Sequence, residues 1–219
     1  MSGKTNAVSL LDRRATRRAA SRAEIVEAAW LLVREEGLAG LSMRDLGDRV
    51  GMRAQSVYSY FDSKDDIYDA MFRQGYEEQL AWMADDEEAA GGFEDPATRL
   101  RVMAHRFFAF CTADPVRYQL LFQRTLPGFE PSAASYAVAL AALEQMHAGF
   151  AQAGITDPAA ADLATAVLTG LTSQQLSNDP GGMRWERLVD RAVTMLIREI
   201  APHLLAKPDK PTTRVRRTP

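Results

Sequence analysis

Gln55 and Ser56 are the residues of this chain with the most specific chemistry on offer, and that chemistry is recognition. A glutamine side chain can pair with the edge of an adenine, and a serine hydroxyl can donate to a base or to a phosphate. They follow Arg53, which can read a guanine or hold a phosphate, and Ala54, which is small enough to let a backbone approach a groove. Tyr58, Ser59 and Tyr60 add three hydroxyls where a helix leaving the groove meets the sugar-phosphate backbone. Ser42, with the free amides of a helix start, and Lys64, beside another helix start, are suited to phosphate oxygens. Arg44 can reach a base edge or a phosphate. Together these residues suit double-stranded DNA.

Such a set works only if two short helices cross tightly enough for the second to enter a major groove. Ser42-Met43-Arg44-Asp45 has the form of a capped helix start, Leu46 and Val50 give that helix its buried side, and Gly51 ends it. A short helix then begins near Arg53 or Ala54 and turns Val57 and Phe61 inward. Ser63-Lys64-Asp65-Asp66 repeats the capping pattern and opens a longer helix through Ile67, Ala70 and Met71. Upstream, Ser21-Arg22-Ala23-Glu24 reads as another capping box, with Ile25, Ala28, Ala29, Leu32 and Val33 on one stripe and Gly37 as the stop. Tyr58 and Phe61 also fit plain core packing, and Arg44 and Arg49 also fit solvated surface charges.

These residues resemble the DNA-binding domain of the TetR family, the tetracycline-repressor-like transcriptional regulators. The resemblance rests on Leu41-Ser42, the Gly51 turn, Ser56, the pair Val57-Tyr58, the aromatic pair Tyr60-Phe61, and Lys64 followed by Asp66-Ile67. The upstream Ala28-Ala29 and Gly37-Leu38 fit as well. Two positions depart from the pattern: Gly47 stands where alanine is usual, and Arg53-Ala54 replaces the usual entry to the recognition helix. The resemblance implies a repressor that binds a palindromic operator as a homodimer and is released by a small apolar ligand. It further implies a four-helix dimer interface from the last two long helices, with Leu163, Val167, Leu168 and Leu171 on one and Leu188, Val189, Ala192, Leu196 and Ile197 on the other.

The rest of the chain reads as helical, so the expected fold is all-α: an N-terminal helix-turn-helix DNA-binding domain and a C-terminal helical ligand-binding and dimerisation domain. The expected bounds are a flexible basic arm at 1–20, the DNA-binding domain at 21–72, the C-terminal domain at 73–206 and a disordered basic tail at 207–219. Helices are expected over 132–153, from Asp157-Pro158 to 177 and over 183–205, with a loop at Gly91-Gly92. Polar and aromatic residues on apolar helices are the candidate pocket liners: His105, Phe108, Tyr118, Phe122, Tyr136, Met146, His147, Phe150, Thr169 and Gln174. Each also fits ordinary core or interface packing.

Composition bounds the remaining options. The 219 residues carry a net charge of −3, but the N-terminal arginines Arg13, Arg14, Arg17, Arg18 and Arg22 concentrate positive charge near the expected DNA face. The single cysteine, Cys111, allows no intramolecular disulfide, and with no secretory leader the expected compartment is the cytoplasm. No apolar run approaches the roughly 20 residues that span a bilayer, so no membrane partner is expected. His105, His147 and His203 are too scattered for a metal site, and no cofactor is expected. No nucleophile elbow, P-loop or dinucleotide turn is present, which leaves an enzyme without a motif. The alternative kept open is a helical protein-interaction or non-specific DNA-binding protein without a ligand switch.

Overall fold

The computed structural model describes residues 3–89 and 95–205; the expected Gly91-Gly92 loop and the basic tail at 207–219 lie outside them. The described residues are helical, with no strand. The first helix, α1, runs Gly3–Glu36. The expected start at Ser21, with a flexible arm before it, is therefore corrected. Alanine and arginine dominate the stretch from Arg13 to Ala23, and their helix propensity sustains the helix where no apolar stripe signals it. Ser21 and Glu24 stand inside that helix and cap nothing. Gly37 ends it at φ 76°, in the left-handed region that glycine adopts without strain.

The next two helices are short: α2, Met43–Arg49, and α3, Ala54–Val57. Ser42 caps α2 by accepting the Asp45 N–H at 3.1 Å. The fourth helix, α4, runs Lys64–Ala89 without a break, so the expected domain boundary at 72/73 falls inside a helix. Its start is a reciprocal box: Ser63 Oγ accepts the Asp66 N–H at 3.1 Å, and the Asp66 carboxylate accepts the Ser63 N–H at 3.0 Å. Ile25, Trp30, Val33, Leu41, Leu46, Val57, Phe61, Ile67 and Met71 close around one core, each almost fully buried. The Trp30 indole N–H is satisfied by Gln74 Oε1 at 3.0 Å, which ties α1 to α4.

Five further helices follow: α5 (Pro96–Ala113), α6 (Pro115–Phe122), α7 (Ala133–Gln152), α8 (Ala160–Asn178) and α9 (Val189–Ile200). The helix expected from Asp157-Pro158 starts at Ala160. The one expected over 183–205 is only α9, flanked by 3-10 turns at Glu186–Leu188 and Pro202–Leu205. Pro202 accounts for the early stop, since the residue before a proline is driven out of the helical region, and Ala201 sits at φ −149°. α6 joins the two halves: Leu120 packs into the N-terminal core while Tyr118 and Leu121 pack with Phe72, Phe110 and Cys111. Burial pushes the Cys111 thiol well above its ordinary pKa, so it is a core residue and not a reactive one. None of the described helices is long and apolar enough to cross a membrane.

Candidate nucleic-acid interface and ligand cavity

α2 and α3 meet through Gly47. A Cβ there would lie 2.7 Å from the Met52 carbonyl oxygen and 3.1 Å from the Ala54 amide nitrogen, so glycine is what lets the turn close this tightly. The departure at Gly47 thus serves the geometry that sets α3 across α2. Gly51, at φ 69°, makes the turn itself. With Val57 and Phe61 buried beneath, α3 turns Gln55 and Ser56 to the outside, and Arg53, Tyr58 and Ser59 are exposed beside them. Arg44 on α2 and Lys64 at the start of α4 are exposed as well. Ala54 and Tyr60 are half-buried. Arg53 serves as N-cap of α3 through its backbone only, so its side chain projects without a capping role.

Three of the expected contact residues have work inside the domain. The Ser42 hydroxyl is engaged with Asp45 as the α2 cap, and the Ser59 hydroxyl donates to the Ser56 carbonyl at 2.6 Å. The Tyr60 ring lies under the Arg18 guanidinium at 5.2 Å. The Ser59 hydroxyl was read from sequence as DNA-facing because a short polar helix end gives no sign of which groups bond locally. Arg18 also donates to the Ser59 carbonyl at 2.6 Å, and Arg22 donates to the Tyr60 carbonyl while stacking over the Phe61 ring at 3.9 Å. The two N-terminal arginines therefore fix the exit of the recognition segment. Arg49 pairs with Glu35, and that hydrogen bond holds the Glu35 carboxyl below its usual pKa.

A cavity of about 350 Å³ lies between α4, α5, α7, α8 and α9, with the end of α6 at its edge. Of the residues expected to line it, Phe122, Tyr136, Met146 and Phe150 do. The other six do not. His105 pairs with Asp190 at 3.0 Å on the surface. Phe108 is buried in the core with Val189, Val193 and Ile197. Tyr118 is core, its hydroxyl on the Thr169 carbonyl at 3.0 Å and Ser173 Oγ at 2.8 Å. Thr169 back-bonds to the Thr165 carbonyl, and His147 and Gln174 are exposed. Polarity on an apolar helix does not by itself tell which interhelical gap a side chain enters, and that is where these six went astray.

The α4 liners Tyr76, Gln79, Leu80 and Met83 went unread, although their spacing of i, i+3, i+4 and i+7 is a helical stripe that the acidic run after Asp85 obscured. Tyr76 donates its phenol to the Leu121 carbonyl at 3.1 Å, and burial pushes its pKa up. Four of the interface residues expected on the last helices have a place within the chain. Val189 and Ile197 are buried within the chain, and Leu168 and Leu196 line the cavity.

Residues 25–71 match the model of bacterial regulatory proteins of the tetR family. The regulator Rv1816 of Mycobacterium tuberculosis, of the helix-turn-helix type, is 28% identical over 110 residues, which are 49% of this chain and 45% of that protein. The chain thus spans about half the length of the curated relatives it matches. Among solved structures, the regulatory protein SCO4313 aligns over 84% of this chain and 98% of its own at 24% identity, with a TM-score of 0.68. AibR, solved with isovaleryl coenzyme A and operator DNA, aligns over 80% of this chain and 96% of its own at 21% identity, with a TM-score of 0.59.

Proposed function

Taking as premise that residues 25–71 are a TetR-family DNA-binding domain in a transcriptional regulator, we infer that this chain is a repressor. It binds a palindromic operator as a homodimer and is released by a small, largely apolar ligand. The observation that carries this reading is the continuity of α4. Its first turn holds Lys64 beside the recognition segment, and three turns on the same helix presents Tyr76, Gln79, Leu80 and Met83 to the cavity. A ligand that shifts the second group moves the first, because an α-helix transmits displacement along its axis with little bending. The complex of AibR with an acyl-coenzyme A and operator DNA pairs two such partners on a similar fold, which supports the division of labour.

A single recognition helix covers only a few base pairs, so specific binding calls for a second copy related by twofold symmetry. α8 and α9 leave Leu163 42% and Met195 61% exposed, apolar surface that a second copy would cover. Leu163→Glu with Met195→Glu is expected to give a monomer in analytical ultracentrifugation and to weaken operator binding in parallel. A dimer that persists would place the interface elsewhere.

Arg34 on α1 and Asp114 at the α5–α6 corner make a second link between the halves. Arg34 donates from Nε at 2.8 Å, and Asp114 also accepts the Arg117 N–H at 3.0 Å as cap of α6. Asp114→Asn keeps a capping oxygen and loses the ion pair. The expected result is a several-fold smaller effect of a releasing ligand on operator affinity, with ligand binding itself unchanged. An undiminished ligand effect would take this bridge out of the route.

The test of the function is footprinting on the DNA flanking the chain's own coding sequence. It is followed by a melting-temperature screen of fatty acids and acyl-coenzyme A esters, with each hit added back to the footprint. Protection of a palindrome that a hit abolishes is the expected outcome. Uniform protection of all DNA, or a footprint that no hit alters, would favour a non-specific DNA-binding protein without a switch.

A further inference from the structure

The cavity has a shape and a polarity that describe its occupant more closely than "small and apolar". Along α7 it is lined from Tyr136 to Phe150, roughly 21 Å at the helical rise, while its volume is only about 350 Å³. It is an elongated channel, open to solvent along part of α7 where Tyr136, Leu140 and Leu143 are exposed, and its walls are almost wholly apolar, with Leu100, Met103, Phe107 and Leu168 among them. Of the polar side chains that interrupt them, which include Tyr76, Tyr136, Gln145 and Thr165, two stand out. Gln79 is 8% exposed, lines the channel, and its carboxamide oxygen is buried without a hydrogen-bond partner. Arg99 is the one charged side chain among the lining residues, and it also donates to Gln152.

The separation of these two features follows from the antiparallel pair α4 and α5. The Trp82 indole N–H donates to the Arg106 carbonyl at 3.2 Å, which sets those residues level. Gln79 lies one turn from Trp82 towards the start of α4, and Arg99 lies two turns from Arg106 towards the start of α5, in the opposite direction. The two polar features are therefore roughly 15 Å apart along the channel. A buried carboxamide oxygen without a partner is a standing cost that a donor on a ligand removes.

We propose that the channel takes an unbranched, chain-shaped amphiphile with an anionic head at Arg99 and a hydroxyl within its hydrocarbon chain opposite Gln79, and that Gln79 selects for that hydroxyl. The proposal deepens the functional reading and rests on it only in treating the cavity as a ligand site. Its test needs no DNA. Calorimetric titration of the full chain compares oleic acid with ricinoleic acid, which differs from it by one mid-chain hydroxyl.

Ricinoleic acid is expected to bind about tenfold more tightly. In Gln79→Leu, with a melting temperature at least that of the wild type, the preference should vanish or reverse. Equal affinities in the wild type, no binding of either acid, or a preference that survives Gln79→Leu would each overturn the proposal. If Gln79→Leu does not fold, the wild-type comparison still decides it. A chain that prefers ricinoleic acid yet protects no operator would leave this site standing and remove the repressor reading. The reverse result would do the opposite.

Discussion

Phe61→Ala is expected to destabilise the protein by about 3–5 kcal/mol, the usual cost of removing a buried aromatic ring and leaving a cavity. Phe61 is 1% exposed, and it packs in the core that holds Val57, Leu46 and Trp30. Its ring is also the platform on which Arg22 stacks while donating to the Tyr60 carbonyl. Truncation therefore removes both the floor of the recognition segment and the clamp on its exit. For a chain of this size the loss corresponds to a fall on the order of 10 °C in melting temperature, measurable by calorimetry. Operator binding should fall with it even below the transition, because α3 is a single turn that depends on Val57 and Phe61 for its placement. Phe61→Leu, which keeps most of the volume, should recover most of both. A loss below about 1 kcal/mol in the alanine variant would mean that this core does not hold the recognition segment.

Gln55→Ala and Lys64→Ala should both weaken DNA binding, but in different ways. Gln55 is exposed in the middle of α3, where its carboxamide can bond the edge of an adenine. Its loss should cost about 1–3 kcal/mol per half-site, and a panel of operators with single substitutions should show relaxed preference at one base position. Lys64, exposed at the start of α4, carries a positive charge with no base to read. Its removal should weaken binding to all DNA alike and reduce the steepness of the salt dependence by about one charge per half-site. Measuring affinity against salt for both variants on matched and scrambled DNA separates the two effects. If Gln55→Ala left base preference intact, the groove-reading role assigned to α3 would be wrong.

The local devices of the DNA-binding domain are legible because they are short-range. A serine three residues before an acid, as in Ser42–Asp45 and Ser63–Asp66, can satisfy free amides only at a helix start, and both boxes form. The same device starts α5, where the Asp95 carboxylate accepts the Ala97 and Thr98 N–H groups. The same pattern misled at Ser21–Glu24, where the preceding alanine- and arginine-rich residues were already helical, so no free amides remained to cap. Ser59 shows the complementary limit. Its position was read, but not that its hydroxyl bonds within the domain.

The sequence by itself determined an all-helical chain, the helix-turn-helix with its buried Leu46, Val57 and Phe61, and the outward set of Arg44, Arg53, Gln55, Ser56, Tyr58 and Lys64. Periodicity and capping carry that information, because a helix face is fixed by neighbours three and four residues away. Only the tertiary structure decided which apolar faces meet and which leave a gap. It sent Tyr118 and Phe108 to the core and His147 to the surface, and it brought Gln79 and Arg99, twenty residues apart in sequence, onto one channel. The reason is physical. A cavity is the space left over when six helices have packed, and no single helix's sequence records where the others stop.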